Sequence, residues 1–323
     1  MVNVATIATM TANPVNPPSQ QLLEAGTLWD KVKERTQHAL QCGALLPILT
    51  HYELLPEAGV SFLVRIVANI ARKEADHHRQ EQRSATGKPV NPFLPYEPDL
   101  FVTDLSDTHL VLLNKFNVMD YHLLIITRAF EEQESLLTLA DLEALWQCLA
   151  EFDGLAFYNS GKLAGASQRH KHLQLVPLPM EPGLPRFPME PLLSTATFQN
   201  GIGTVPALPF VHGLVQFDSA ALRSPAMAAQ TSREAYLRLL HHVGLKPQPD
   251  GRLSGAYNLL VSREWMMLVP RSQESIATIS INSLGFAGAI LVRSREQLIA
   301  LQELGPMTAL SQVGVARSQE KRA

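Results

Sequence analysis

Cysteine is scarce in this 323-residue chain: there are two, Cys42 and Cys148, far apart and without a CxxC spacing. A disulfide framework and a cysteine-based zinc site are both poor readings, and a reduced, intracellular setting fits better. Charge is scarce as well. Asp, Glu, Lys and Arg make up 18% against roughly 25% in an average globular chain, which excludes a disordered polyelectrolyte. A formal net charge of −3 without a basic stripe argues against a dedicated nucleic-acid binder. No run approaches the ~20 apolar residues that span a bilayer. Residues 1–20 lack a basic stretch ahead of an apolar core, so they read as a loose, flexible arm and not as a signal peptide. The expectation is a soluble cytoplasmic protein with no membrane partner. Hydrophobic residues are abundant at 46%, ample for a large core.

Four helices announce themselves by their caps. They open at Thr27-x-x-Asp30, Thr138-x-x-Asp141, Thr231-x-x-Glu234 and Ser294-x-x-Gln297, and are closed by Gly43, Gly154, Gly244 and Gly305. Short apolar runs read as strands: His109–Leu113, His122–Thr127, Leu155–Tyr158, His172–Val176, Tyr257–Val261, Met266–Val269 and Ala287–Val292. Strands fall in hairpins and helices come singly, so the expected class is α+β with antiparallel sheet. Residues 177–209 are too proline-rich for a helix or a central strand. They read as a long surface connection, ordered against the body by apolar residues such as Phe187, between an N-terminal half (residues 21–176) and a C-terminal half (residues 210–323). A hairpin in each half hints at internal duplication.

The chemistry concentrates in Asn159–Pro179, NSGKLAGASQRHKHLQLVPLP. As a strand, this segment puts His170, His172, Gln174 and Val176 on one face, with Lys171, Leu173 and Leu175 on the other. Two imidazoles and a carboxamide suit a polar site better than a core. Gly161, Gly165, Ala166 and Ser167 allow the backbone to approach a ligand and to offer N–H groups to anionic oxygens. A neutral imidazole is nucleophilic near neutral pH. On an α-phosphorus it forms a labile nucleotidyl-imidazole that passes the nucleotide onward. His-x-His also begins many metal sites, but no third ligand stands nearby, so no metal ligand is assigned. Met266-Met267, His77-His78 and His241-His242 read as core or surface.

GASQRHKHLQLVPLP resembles the active-site segment of the histidine triad superfamily in its His-x-His-x-Gln form. Within it, the chain is most similar to the diadenosine tetraphosphate phosphorylases, also called ATP adenylyltransferases. RTQHALQCGALLPILT, KPVNPFLPYEPDLFV, LLNKFNVMDYHLLIITR, YNLLVSREWMMLVPRS and INSLGFAGAILV resemble segments of that family in the same order. The resemblance implies a histidine triad-like, GalT-like fold of two half-barrel antiparallel sheets with flanking helices, related by duplication. It implies cleavage of diadenosine tetraphosphate with phosphate to ATP and ADP, reversibly, through an adenylyl-histidine. The nucleophile would be His172. His170 would orient it through its main-chain carbonyl, and Gln174 would hydrogen-bond the transferred group. Substrate-binding positions carried by the resemblance are Lys73, Asn114, Lys115, Asn159, Gly165, Ala166, Ser167 and Gln168, with Tyr257, Asn258 and Arg263 from the C-terminal half. A divalent cation of the Mg type is expected with the polyphosphate, and no organic cofactor. Leu163–Ala164 stand where the family often has a second serine.

Two other functions share these features. A hexose-1-phosphate uridylyltransferase uses the same His-x-His-x-Gln element, but Lys171 stands where that family has proline between the histidines, and a CxxC metal pair is lacking. A non-catalytic dinucleotide sensor would keep the pocket without turnover, and an intact His172 and Gln174 argue against it.

Overall fold

The computed structural model describes residues 22–67 and 91–317; the N-terminal arm, Lys73 and His77–His78 lie outside the described residues. The first helix, α1 (Leu28–Cys42), buries Leu28, Val32 and Ala39 and ends at Gly43. A hairpin, β1 (Thr50–Glu57) and β2 (Val60–Val67), follows. Then come β3 (Phe101–Asp104), β4 (His109–Leu113), β5 (Leu123–Thr127), α2 (Leu139–Leu149), β6 (Gly154–Asn159) and β7 (His172–Pro177). Thr138 and Asp141 form the expected capping box on α2. The helix ends at Ala150, not Gly154, because Gly154 already belongs to β6. There a Cβ would stand 2.8 Å from Leu175 Cδ1 and 3.0 Å from the Val176 carbonyl.

The proline-rich connection is ordered, as its apolar residues require. It buries Phe187, Met189, Leu193 and Val205 and forms one helical turn, α3 (Glu190–Leu193), and two short strands, β8 (Thr197–Gln199) and β9 (Ile202–Thr204). The C-terminal half continues with β10 (Gly213–Gln216), α4 (Pro225–His242), β11 (Tyr257–Val261) and β12 (Trp265–Pro270). Helix α4 begins two turns before Thr231. The stronger start is Ser224, whose hydroxyl accepts from Met227 N, followed by Pro225 at the first helical position. A small hairpin, β13 (Ser275–Ile276) and β14 (Ile279–Ser280), leads to α5 (Ser283–Phe286), β15 (Ala289–Val292), α6 (Arg295–Leu304) and α7 (Pro306–Val313).

Ten strands form one sheet in the order β3-β4-β5-β7-β6-β11-β12-β10-β9-β8. Read from each edge inward, β3-β4-β5-β7-β6 and β8-β9-β10-β12-β11 follow the same plan, and the halves join at β6 and β11. Helices α2 and α4 occupy equivalent places and touch through Trp146 Nε1–H donating to Ser232 Oγ (2.6 Å). The registers agree residue by residue: Leu124 opposes Gln174 as Leu214 opposes Met267, and Phe157 opposes Gln174 as Leu260 opposes Met267. HLQLVP of β7 therefore corresponds to WMMLVP of β12. Trp265 stands where His172 does and Met267 where Gln174 does, both buried, with the Phe187 ring 5.5 Å from the Trp265 ring. The two halves repeat one plan, with polar side chains at these positions in one and apolar side chains in the other.

One face of the sheet carries α1, α2 and α4 over Leu173, Leu175, Leu259 and Val261. The other face packs Val176, Leu260 and Met267 with Phe62, Phe286 and Leu310. The β1–β2 hairpin has no counterpart among the strands expected from sequence. Half of β1 is exposed, which blurs its alternation, and β15 joins β2 in parallel from more than 200 residues away, a pairing without a local signature.

Candidate active site

His172 opens β7 on the face away from α2 and lines a cleft of about 770 Å3. The residue is held at three points. Nδ1–H donates to the His170 carbonyl (2.8 Å), the backbone N–H donates to Gln133 Oε1 (2.8 Å), and the Phe93 ring lies 5.6 Å away edge-on. Gln133 Nε2 in turn donates to the carbonyls of Asn159 and His172, tying β7 to β6. Burial pushes the imidazole pKa down to about 4, so the ring is neutral at physiological pH. With the proton on Nδ1, Nε2 keeps its lone pair. The His170 ring is used differently: Nε2–H donates to the Thr127 carbonyl (2.8 Å) and Nδ1 accepts from Asn91 Nδ2 (2.9 Å). Both of its nitrogens are engaged, so only its carbonyl serves His172.

A relay from the β4–β5 loop sets the Gln174 amide. Asn114 Nδ2 donates to His122 Nδ1 (3.2 Å), and His122 Nε2–H donates to Gln174 Oε1 (3.0 Å). Burial holds His122 at about 4, hence neutral with one N–H to give. Gln174 Oε1 is therefore the occupied end, and its NH2 is the end left for the cleft. Lys115, at the rim, pairs with Glu97 at 2.5 and 2.8 Å.

A second relay, from the C-terminal half, does the same for Asn159. Its Oδ1 accepts from Asn258 Nδ2 (2.9 Å) and Ser283 N–H (2.9 Å), and shares the Ser283 hydroxyl proton (2.7 Å) with the Tyr158 carbonyl (2.9 Å). These donors on one oxygen leave the Asn159 NH2 as the group for the cleft. Asn258 is positioned by Arg271, whose Nη1 donates to Asn258 Oδ1 (2.6 Å). Arg271 meets only carbonyl and amide acceptors, and burial lowers its pKa to about 10. The loop after β6 closes the floor. Gly165 has φ +87, and a Cβ there would lie 2.9 Å from the Ile281 carbonyl, so the loop passes directly under the cleft wall.

The two halves of the chain match two family descriptions in series. Residues 18–195 match the Ap4A phosphorylase N-terminal domain, and residues 206–316 the ATP adenylyltransferase C-terminal domain. The chain belongs to the Ap4A phosphorylase family. It is 29% identical over 275 residues to diadenosine 5',5'''-P1,P4-tetraphosphate phosphorylase 2 of Saccharomyces cerevisiae, covering 77% of this chain and 81% of that one. It is 28% identical over 271 residues to Protein APA1 of the same yeast, covering 77% and 80%. The crystal structure of yeast Ap4A phosphorylase Apa2 shares the fold, with TM-score 0.74 and 24% identity over 93% of this chain and 98% of that one. Its complex with AMP aligns with TM-score 0.72 at 25% identity, covering 92% and 100%.

In this phosphorylase-family chain, Asn114, Lys115, Asn159, Gly165, Ser167, Gln168, His172 and Gln174 all line the cleft. Other expected positions do not. The Ala166 N–H donates to the Gly161 carbonyl and the Gly165 N–H to the Lys162 carbonyl, so of these loop amides Ser167 and Gln168 are the ones with no acceptor among the described residues. Tyr257 points to the opposite face of β11, where its hydroxyl meets Tyr236 Oη at 2.7 Å. Asn258 stands one layer behind the cleft. Arg263 sits in the β11–β12 turn with Nε–H on the Leu149 carbonyl (2.6 Å), away from the cleft. Lys73 lies outside the described residues.

Lys171 is 1% exposed on the helix face, paired with Glu131 (2.7 Å) and Asp141 (3.0 Å). It anchors the motif from behind and adds no surface potential. Asp141 also receives His109 Nε2–H (2.9 Å). Against the raising effect of burial, these partners hold its carboxyl at about 2. Arg169 is exposed and paired with Glu132. Sequence reasoning missed His122, Gln133, Asn91, Phe93 and Ser283. In sequence His122 reads as a strand start, and only the pairing of β5 with β7 brings it beside Gln174.

Proposed function

We propose that this protein cleaves diadenosine tetraphosphate (Ap4A) with inorganic phosphate, giving ATP and ADP reversibly through an adenylyl-His172 intermediate. The observation that carries this reading is the His172 ring. It is neutral, has Nδ1–H locked on the His170 carbonyl at 2.8 Å, and leaves Nε2 as a lone pair in the cleft. In the first step Nε2 attacks one α-phosphorus; a P–N bond forms, the P–O bond breaks and ATP departs as an anion. In the second, a phosphate oxygen attacks the same phosphorus, the P–N bond breaks and ADP forms. The Gln174 and Asn159 NH2 groups and the Ser167 and Gln168 N–H groups supply donors for phosphoryl oxygens. Lys115 supplies positive charge once the polyphosphate draws it from Glu97. Gln174 has no titratable proton, which suits an acceptor that is already ionised.

A divalent cation of the Mg type enters, on this reading, bound to the polyphosphate. The described cleft lining contains a single carboxylate, Glu97, whose two oxygens lie on Lys115, so the residues do not form a cage for a hard cation. No step here runs through it. The test is incubation with Ap4A in the absence and presence of phosphate, followed by chromatography and peptide mapping. Without phosphate, one ATP per chain and acid-labile adenylyl label on His172 are expected. With phosphate, ATP and ADP accumulate equally. Label on another residue, or AMP in place of ADP when phosphate is present, would overturn the proposal.

A further inference from the structure

A second cluster of chemically capable side chains lies outside the cleft. His38 and Cys42 stand four residues apart on the exposed side of α1, one turn above each other. Asp99, on the 3-10 turn Pro98–Leu100, faces them from a different element. His38 Nε2 is 2.8 Å from Asp99 Oδ1, and one ligand atom from each of the three residues lies within 4.8 Å of the others. The Cys42 thiol is exposed, and its hydrogen bond is a long one to the Ala39 carbonyl at 3.7 Å. The sequence alone assigns no protein ligand to a metal here, because Asp99 is remote in the chain from His38 and Cys42.

We propose that His38, Cys42 and Asp99 form a surface site for a borderline-soft divalent cation of the Zn2+ class, with three protein ligands and a fourth position open to water. Imidazole, thiolate and carboxylate are a donor set that suits zinc, whereas Mg2+ and Ca2+ take all-oxygen shells. Bond lengths of ~2.0–2.3 Å place tetrahedral ligand atoms ~3.3–3.6 Å apart. The His38–Asp99 pair therefore opens slightly and the sulfur closes in, adjustments within reach of exposed side-chain torsions. Loading forms a metal–sulfur bond and releases the thiol proton to solvent. The cleft histidines are poorer ligands, since both His170 nitrogens and His172 Nδ1 are engaged. The site would brace α1 against the turn that carries Leu100 and follows Glu97, both of which line the cleft. The inference does not depend on the proposed reaction.

The test is titration of the metal-free full chain with Co2+, followed by displacement with Zn2+. A near-ultraviolet thiolate-to-cobalt charge-transfer band that saturates at one equivalent and disappears on adding Zn2+ is expected. Cys42→Ser abolishes the band, while Cys148→Ser, at a buried thiol outside the cluster, keeps it. His38→Ala and Asp99→Asn each weaken the apparent affinity by at least about tenfold. All three positions are exposed, so the variants fold, and Cys42→Ser leaves metal-free phosphorolysis unchanged. Absence of the band in the wild-type chain, its survival in Cys42→Ser, or unchanged affinity in His38→Ala would each overturn the proposal.

Discussion

Removing His122 tests whether Gln174 works through the direction its amide faces. In the structure His122 Nε2–H occupies Gln174 Oε1 at 3.0 Å, and Asn114 fixes the tautomer from the other side. Rotating the amide by half a turn would set NH2 against N–H, losing one hydrogen bond and opposing two donors. That costs about 1–3 kcal/mol in a buried setting, a bias of roughly ten- to a hundredfold toward the arrangement with NH2 in the cleft. His122→Leu removes the bias and keeps the donor. If the two orientations then become equal, half the molecules remain competent, so kcat falls by only about twofold, and by about tenfold if water holds the oxygen inward. Gln174→Ala removes the donor itself and should cost about 10²–10³ in kcat, the scale of an oxyanion-hole group. The double variant should be no slower than Gln174→Ala alone, because His122 has nothing left to orient. Quench-flow measurement of the ATP burst on all three variants, with circular dichroism to check folding, decides the matter. A loss of 10²–10³ in His122→Leu by itself, or additive effects in the double variant, would refute the reasoning.

Gln174→His places a titratable group beside the transferred phosphoryl, so the ratio of AMP from hydrolysis to ADP from phosphorolysis should rise even as the total rate falls; one chromatogram reads it. Burial lowers His122 and His172, which both line the cleft, from 6.5 to about 4, so kcat/KM should stay flat from pH 8 to about pH 5, with no midpoint near 6.5. For stability the sign follows from the same depression: the unfolded chain binds more protons below pH 6.5. The histidine contribution, about 3 kcal/mol per ring at most, is complete above pH 6.5 and is lost as pH falls toward 4, readable as a lower urea midpoint at pH 5 than at pH 7.5. Lys171→Met leaves Asp141 buried with only His109 and Thr138 as partners, and should destabilise the fold by about 2–4 kcal/mol in chemical denaturation. Arg263→Ala, far from the cleft, should leave both KM and kcat unchanged in steady-state assays.

Much of the fold and of the site is legible in sequence because it is local. Period-two alternation in HKHLQLVP separates His172 and Gln174 from Leu173 and Leu175 without knowledge of any neighbour, and the structure keeps that division. Caps at Thr138 and Ser294 act within one turn, so α2 and α6 begin where the residues say. The same alternation applies to Tyr257 and Asn258, which are consecutive in a strand and cannot share a face. Which of them turns toward the cleft depends on the register of β11 against β6, where Asn258 pairs with Asn159.

Non-local pairing decided the rest. The residue types at His122, Ser283 and Arg271 are compatible with a dozen ordinary roles. They become part of the site only because β5 lies beside β7 and because the C-terminal half meets the N-terminal half at β6 and β11. Lys171 sits between the two motif histidines and could read as added surface charge, yet the strand turns it onto the helix face, where Asp141 and Glu131 neutralise it. The sequence by itself determined the pair His172 and Gln174, proposed here as nucleophile and donor, and the strand that presents them, through side-chain chemistry and a two-residue period. Only the tertiary structure decided which end of each amide faces the substrate. An amide's orientation is set by the hydrogen-bond partners on the neighbouring strand, and those partners lie tens to more than a hundred residues away in the chain.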